Sequence, residues 1–134
     1  MIGKLSDKIL NSLLEAIPID FSVIDANDKI LAWNKDDTRI FKRSEGVIGR
    51  NVRDCHPKKS LDKVEKILLE MKNGKRNKAE FWINIKIRNE ENPKKIFIQY
   101  LALRDDKDKY LGCLECSQEI SYIQSLKGEK RLLN

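Results

Sequence analysis

Residues 49–60 read GRNVRDCHPKKS and set Cys55 directly beside His56, the one histidine of the chain, with Pro57 following. A thiolate and an imidazole are both metal ligands. Adjacent residues project apart, however, and no Cys-x-x-Cys pair or second histidine completes a zinc set here. Pro57 instead marks a chain entering a helix, with Asp54 or Ser60 available to cap it. Three readings of His56 stay open: local architecture, which the incomplete ligand set favours; a polar contact in a cavity; and ligation of haem or a metal ion. The segment CLEC, residues 113–116, has redox spacing but lies in a strand-like run. Residues three apart on a strand face opposite sides of the sheet, so Cys113 and Cys116 are not expected to meet. Gly46 and Gly49 lack the Lys-Ser/Thr ending of a phosphate loop. The acidic pairs Asp36-Asp37 and Asp105-Asp106 lie in turn-like stretches. With one histidine, and that before a proline, no nucleophile-base-acid arrangement can be assembled, so the expectation is a protein that is not an enzyme.

The chain has 134 residues, 40% hydrophobic and 36% charged. That composition fits one ordered domain and argues against both wholesale disorder and a membrane protein. No apolar run approaches a span, and Asp7, Lys8 and Glu15 break the N-terminal segment, which does not read as a secretory signal. Cytoplasmic localisation is the expectation. Three cysteines without a framework of spacings read as reduced thiols. The net charge of +6 concentrates in the lysines and Arg76 of residues 58–78. Interleaved acids there describe a solvated helix face, so nucleic acid is not the expected partner.

Leu5, Ile9, Leu13, Leu14 and Ile17 recur at helical spacing before Pro18, which predicts an amphipathic helix within residues 1–17. Two short apolar runs, 21–24 and 30–33, flank Asp25-Ala26-Asn27-Asp28 and predict a hairpin. Residues 34–51 lack periodicity and predict short turns. Leu61, Val64, Ile67, Leu68 and Met71 share one helical face, so a helix is expected over 60–73, with Ser60 capping it, Asp62 in its first turn and Asn73-Gly74 ending it. Strand-like runs follow at 79–87, 95–103 and 110–120, separated by polar turns. Phe81, Trp82 and Trp33 are expected in the core or an interface.

This order, with FSVIDANDKILAWNK and LALRDDKDKYLGCLECSQEIS, resembles the PAS domain. The segments IFKRSEGVIGRNVRDCHPKKSLDKVEKIL, AEFWI, YLGCLECSQEI and LKGEKRLLN are similar to the PAS-like C-terminal domain of a prokaryotic family of unknown function. Its members often carry an upstream hemerythrin-like domain. The likeness covers residues 3–134; one histidine cannot supply a histidine-rich di-iron site, so the chain reads as an excised domain or a free-standing relative. Sequential antiparallel strands with the helices bunched in the middle already make an α+β domain with a five-stranded sheet, and the resemblance implies that it is PAS-like, with helices packed on one face and flanking terminal helices. It divides the chain into an N-terminal helix (1–17), a sensor domain (18–121) and a C-terminal tail or short helix (122–134).

It also implies a sensory module that binds a small ligand in its cavity and signals through terminal helices or dimerisation. The alternative is a ligand-free homodimerisation module; a haem sensor is a third reading. Anchoring Glu119-Ile120-Ser121 to the similar ending of flavin-binding relatives turns Glu115 and Ser117 inward. The same anchoring at Asp105 turns Ile98, Tyr100 and Ala102 inward. With His56, the residues Ile98, Tyr100, Glu115 and Ser117 form the expected ligand-binding set; for Glu115 a structural hydrogen bond is the first reading and contact with a polar ligand the second, and the cofactor stays open, a small polar ligand being favoured over haem or flavin. The light-sensing subclass carries its reactive cysteine in Asn-Cys-Arg-Phe, where this chain has RDCHP. The partners implied are a second copy of the chain and a signalling or hemerythrin-like domain.

Overall fold

A computed structural model describes residues 1–133. The elements are α1 (Asp7–Ala16), β1 (Asp20–Asp25), β2 (Ile30–Trp33), two 3-10 turns (Glu45–Val47 and Val52–Cys55), α2 (Lys58–Lys72), β3 (Lys78–Ile85), β4 (Lys94–Arg104), β5 (Tyr110–Glu119) and α3 (Ser121–Ser125). The five strands form one antiparallel sheet in the order β2-β1-β5-β4-β3. The last strand therefore lies at the centre, between the first and the fourth, and the two hairpins become the wings of the sheet. This is the α+β architecture expected from the order of elements.

Two turns of the same design close the β1-β2 and β4-β5 hairpins. In DANDK the Asp25 carboxylate accepts from the backbone N–H of Asn27 and Lys29, and Asp28 takes φ 64°. In DDKDK the Asp105 carboxylate accepts from Lys107 and Lys109, and Asp108 also takes φ 64°. An aspartate at the first position holds the turn open-side in, and a second aspartate tolerates the left-handed conformation, both through short polar side chains. At Gly112 β5 passes so close to β1 that a Cβ would lie 2.1 Å from the Ile24 carbonyl oxygen. Only glycine fits that approach.

The core lies on one face of the sheet. Ile24, Ile30, Ile96, Ile98, Tyr100 and Cys113 meet Val64, Leu68 and Met71 of α2, whose spacing of four and three puts them on one stripe. Leu61, at the N-terminal end of that stripe, is half-buried. The helix differs from its sequence expectation at its start. It begins at Lys58, Pro57 holds the N-cap position without a side-chain bond, and the Ser60 hydroxyl donates to the Pro57 carbonyl. Ser60 is inside the first turn rather than capping it, and Asp62 lies beyond that turn. Proline's fixed φ and missing N–H suit a helix boundary, which moved the start two residues upstream. β3 ends at Ile85, earlier than the apolar alternation through Ile87 predicts; Ile87 is buried beyond the end of the strand.

α1 is capped by Ser6, whose hydroxyl accepts from the Ile9 N–H, and buries no residue. Its C-terminal end is tied to the hairpin by Asn34. The Asn34 amide donates to the carbonyls of Leu14 and Ile19 at 2.8 and 3.0 Å, and its oxygen accepts from the Phe21 N–H at 2.8 Å. Glu15 and Lys35 add two further bonds across the same junction.

Candidate functional site

The inner faces of β3, β4 and β5 do not close fully on α2. They leave a cavity of about 590 Å³, walled on its remaining sides by residues 39–43 and by the Cys55–Ser60 segment. Strand register decides which side chains enter it. Tyr100 of β4 lies opposite Glu115 of β5, which in turn lies opposite Ser22 of β1. One row further on, Phe81, Ile98 and Ser117 align across β3, β4 and β5. All five residues singled out from the sequence, His56, Ile98, Tyr100, Glu115 and Ser117, line this one cavity. Cys113 shares their sheet face but belongs to the core, whereas Cys116 does not line the cavity, and all three cysteines are free thiols.

The polar end of the cavity is a buried ion pair with a histidine beside it. Arg43 Nη2 donates to Glu115 Oε2 at 3.1 Å, with the two side chains 13% and 10% exposed. His56 Nε2 stands 3.9 Å from Glu115 Oε1, too far for a hydrogen bond. Arg43 Nε, His56 Nε2 and Glu115 Oε1 reach neither a partner nor solvent. Three unsatisfied polar atoms around one buried carboxylate are costly, and a movement of about one ångström by the imidazole would satisfy two of them. His56 ends the second 3-10 turn with φ −112° and ψ 144°, the extended conformation that a following proline imposes. Pro57 thus does both jobs at once: it starts α2 and aims the imidazole at Glu115.

The remaining groups are held neutral or saturated. Burial, with the charge of Glu115 adding to it, pushes the Tyr100 phenol far above its ordinary range, and its ring meets Phe81 edge-on with centroids 5.6 Å apart. The Cys113 thiol is pushed up to about 12, first by burial and then by Glu115. Arg39 is buried and spends its guanidinium on the carbonyls of Phe21, Asn34 and Phe41 and on the Ser22 hydroxyl. Burial draws its pKa down, and Asp20 opposes that. Opposite this polar end the walls are apolar: Val64 and Ile67 of α2, Ile83 and Ile85 of β3.

Sequence reasoning missed Ser22, Arg39 and Arg43. Ser22 was visible in principle, as a polar residue alternating with Ile24 in an otherwise apolar strand. Arg39 and Arg43 sit in the aperiodic stretch, where no pattern says which way a side chain points. Asp28 was also missed. It is 3% exposed and pairs with Arg53 at 2.9 Å and Lys72 at 2.7 Å, so the hairpin turn clamps both the second 3-10 turn and the end of α2. Among the described residues no three His, Cys, Asp or Glu side chains gather as a metal site. His56 Nε2, the nitrogen that would coordinate haem iron, faces Glu115 Oε1 at 3.9 Å. No helix is long and apolar enough to cross a membrane.

The architecture is thus a five-stranded antiparallel sheet with its last strand central, α2 across one face and a cavity between them. Residues 10–121 match the family described as PAS domain, and the chain belongs to that family. A crystal structure of a C-terminal domain from Streptococcus mutans is 32% identical, covers 95% of this chain and 94% of its own, and superposes with a TM-score of 0.82. The PAS domain of a Colwellia psychrerythraea protein (16% identity, 86% and 97% coverage, TM-score 0.61) shares the fold. So does the PAS domain of Bordetella pertussis BvgS (13%, 85% and 85%, TM-score 0.61). No curated protein matches the sequence. PAS domains are typically sensory and signalling modules.

Proposed function

We propose that this domain senses a small molecule held between α2 and the inner sheet face, and passes its occupancy to α1. The observation that carries this reading is the ion pair of Arg43 and Glu115, buried on the wall of a 590 Å³ cavity with polar atoms of Arg43, His56 and Glu115 unsatisfied. Cavities of about 300–1,000 Å³ with apolar walls and a few convergent polar groups are the usual form of small-molecule sites. His56, Tyr100, Glu115 and Ser117 set the polar contacts, and Ile98 the apolar floor.

Transmission follows a chain of bonds. Arg39 lines the cavity, bonds Ser22 and the Asn34 carbonyl, and the Asn34 amide holds the end of α1. A ligand that displaces Arg39 therefore pulls on the helix. The partner that reads α1 is a second copy of the chain, or a signalling or hemerythrin-like domain. Native mass spectrometry with an absorption scan of freshly purified protein tests the reading. The expected result is an added small mass, lost on denaturation, without a Soret band. A bare mass that stays bare after incubation with cell metabolites overturns it.

The second reading, a dimerisation module that needs no ligand, is supported by a different observation. Ile9, Leu10 and Leu13 of α1 are exposed, and Trp82 of β3 is 64% exposed.

A further inference from the structure

Arg43 and Glu115 are joined by one prong only. Nε and Nη2 make one edge of the guanidinium, and Oε1 and Oε2 one edge of the carboxylate, so a full fork would use all four atoms. Here Nη2 meets Oε2 at 3.1 Å, while Nε and Oε1 have no partner. A donor and an acceptor thus stand side by side, both unmet, on a carboxylate whose side chain is 10% exposed in the cavity wall. His56 is placed at the open oxygen, its Nε2 3.9 Å from Oε1 and also without a partner. Its side chain is 19% exposed and no bond holds that nitrogen, so the imidazole is the part that can turn aside. Turning it opens Oε1 to the cavity. The charges of this wall cancel. Glu115 is matched by Arg43, and Arg39 is spent on three carbonyls and the Ser22 hydroxyl, with Asp20 offsetting its burial. Lys59 and Lys63 of α2 are exposed, which leaves their ammonium groups in water. An ion brought up to Glu115 would therefore be an uncompensated charge away from solvent, and that costs more than a hydrogen bond returns.

Building on the cavity reading above, we infer that the ligand is a small neutral molecule that carries a hydrogen-bond donor and an acceptor on adjacent atoms, as a lactam does. Its N–H donates to Glu115 Oε1, and its carbonyl accepts from the Arg43 Nε–H. Its body lies against Ile67, Phe81 and Ile98, where burial of apolar surface adds affinity. A molecule with only one of the two groups leaves a buried charged atom without a partner, which is the costly outcome.

Isothermal titration calorimetry with two isomers, 4-methylquinolin-2(1H)-one and 1-methylquinolin-2(1H)-one, tests the assignment, because they share one bicyclic body and only the first keeps its N–H. The first is expected to bind more tightly by about 10- to 100-fold, the worth of a hydrogen bond to a charged group, and naphthalene-2-carboxylate to bind more weakly than it. In Glu115→Gln one amide oxygen must serve both Arg43 and the ligand, so the preference between the isomers is expected to collapse, with a thermal melt as the folding control. The wild-type protein gives a reading that needs no variant. The chain has one imidazole, and its ring resonances are expected to shift when the N–H isomer is added. Equal binding of the isomers, as a completed Arg43–Glu115 fork would give, overturns the donor-acceptor head and leaves the cavity reading standing. Naphthalene-2-carboxylate binding as tightly as the lactam, a preference that survives in folded Glu115→Gln, or binding that leaves the His56 resonances unmoved does the same. Binding of none of the three also overturns it, and the native mass spectrum then decides whether the cavity reading falls too.

Discussion

Glu115 is one residue in an apolar strand, and its surroundings set what each neighbour can do. Its pairing with Arg43 places two charges in a nearly water-free wall, where breaking the pair costs more than the pair is worth. Glu115→Leu and Arg43→Met are each expected to lower stability by about 2–5 kcal/mol, and the double variant by clearly less than their sum. Additive losses in urea melts would mean that the two side chains act independently. The thiols provide a second check. Burial holds Cys113 protonated, up to about 12, and raises Cys116 as well, whereas Cys55 is half-buried at the cavity wall. At pH 8 a thiol reagent is therefore expected to modify Cys55 first, with Cys113 and Cys116 reacting only after unfolding. Prompt modification of all three in the native protein would contradict their burial.

Among the elements, α2 covers the core face of the sheet with Val64, Leu68 and Met71, and the turns join its strands. Leu68 is 1% exposed at the middle of the buried stripe, so Leu68→Ala is expected to cost about 2–5 kcal/mol, read as a shift in the urea midpoint. Leu69, one position on, is 59% exposed, and its alanine variant is expected to move stability by less than about 0.5 kcal/mol. Gly112→Ala tests the close approach of β5 to β1. Its methyl group would meet backbone rather than a flexible side chain, so the two central strands must separate, and a soluble variant with an unchanged melt would refute the geometry.

For the whole molecule, the question is what covers α1. A free helix of ten residues is marginal in water, and this one has no fully buried residue, with only Leu14 half-buried. Exposed apolar stripes seek partners, and a two-fold pair is the commonest soluble homo-oligomer. Light scattering of the intact chain is expected to give a dimer at micromolar concentration, and deletion of residues 1–16 a folded monomer. A monomeric intact chain, or a dimeric truncated one, removes α1 from the signalling route.

The amino-acid sequence by itself determined the elements and the face each presents, because helical and strand periodicities are local. The stripe of α2, the alternation of β4 and β5 and the aspartate turns were all legible without a structure. The likeness of the last strand to its relatives turned Glu115, Ser117, Tyr100 and Ile98 to one side. What the tertiary structure decided is who meets whom. That Arg43 meets Glu115, 72 residues away, that Asp28 clamps Lys72, and that Arg39 links the cavity to Asn34 depend on how β5 inserts beside β1. No periodicity encodes such pairings, since residues 34–51 have none and their conformation is set by the surfaces they cross. His56 shows both levels at once: Pro57 imposes its extended backbone locally, and only the folded sheet supplies the carboxylate it faces.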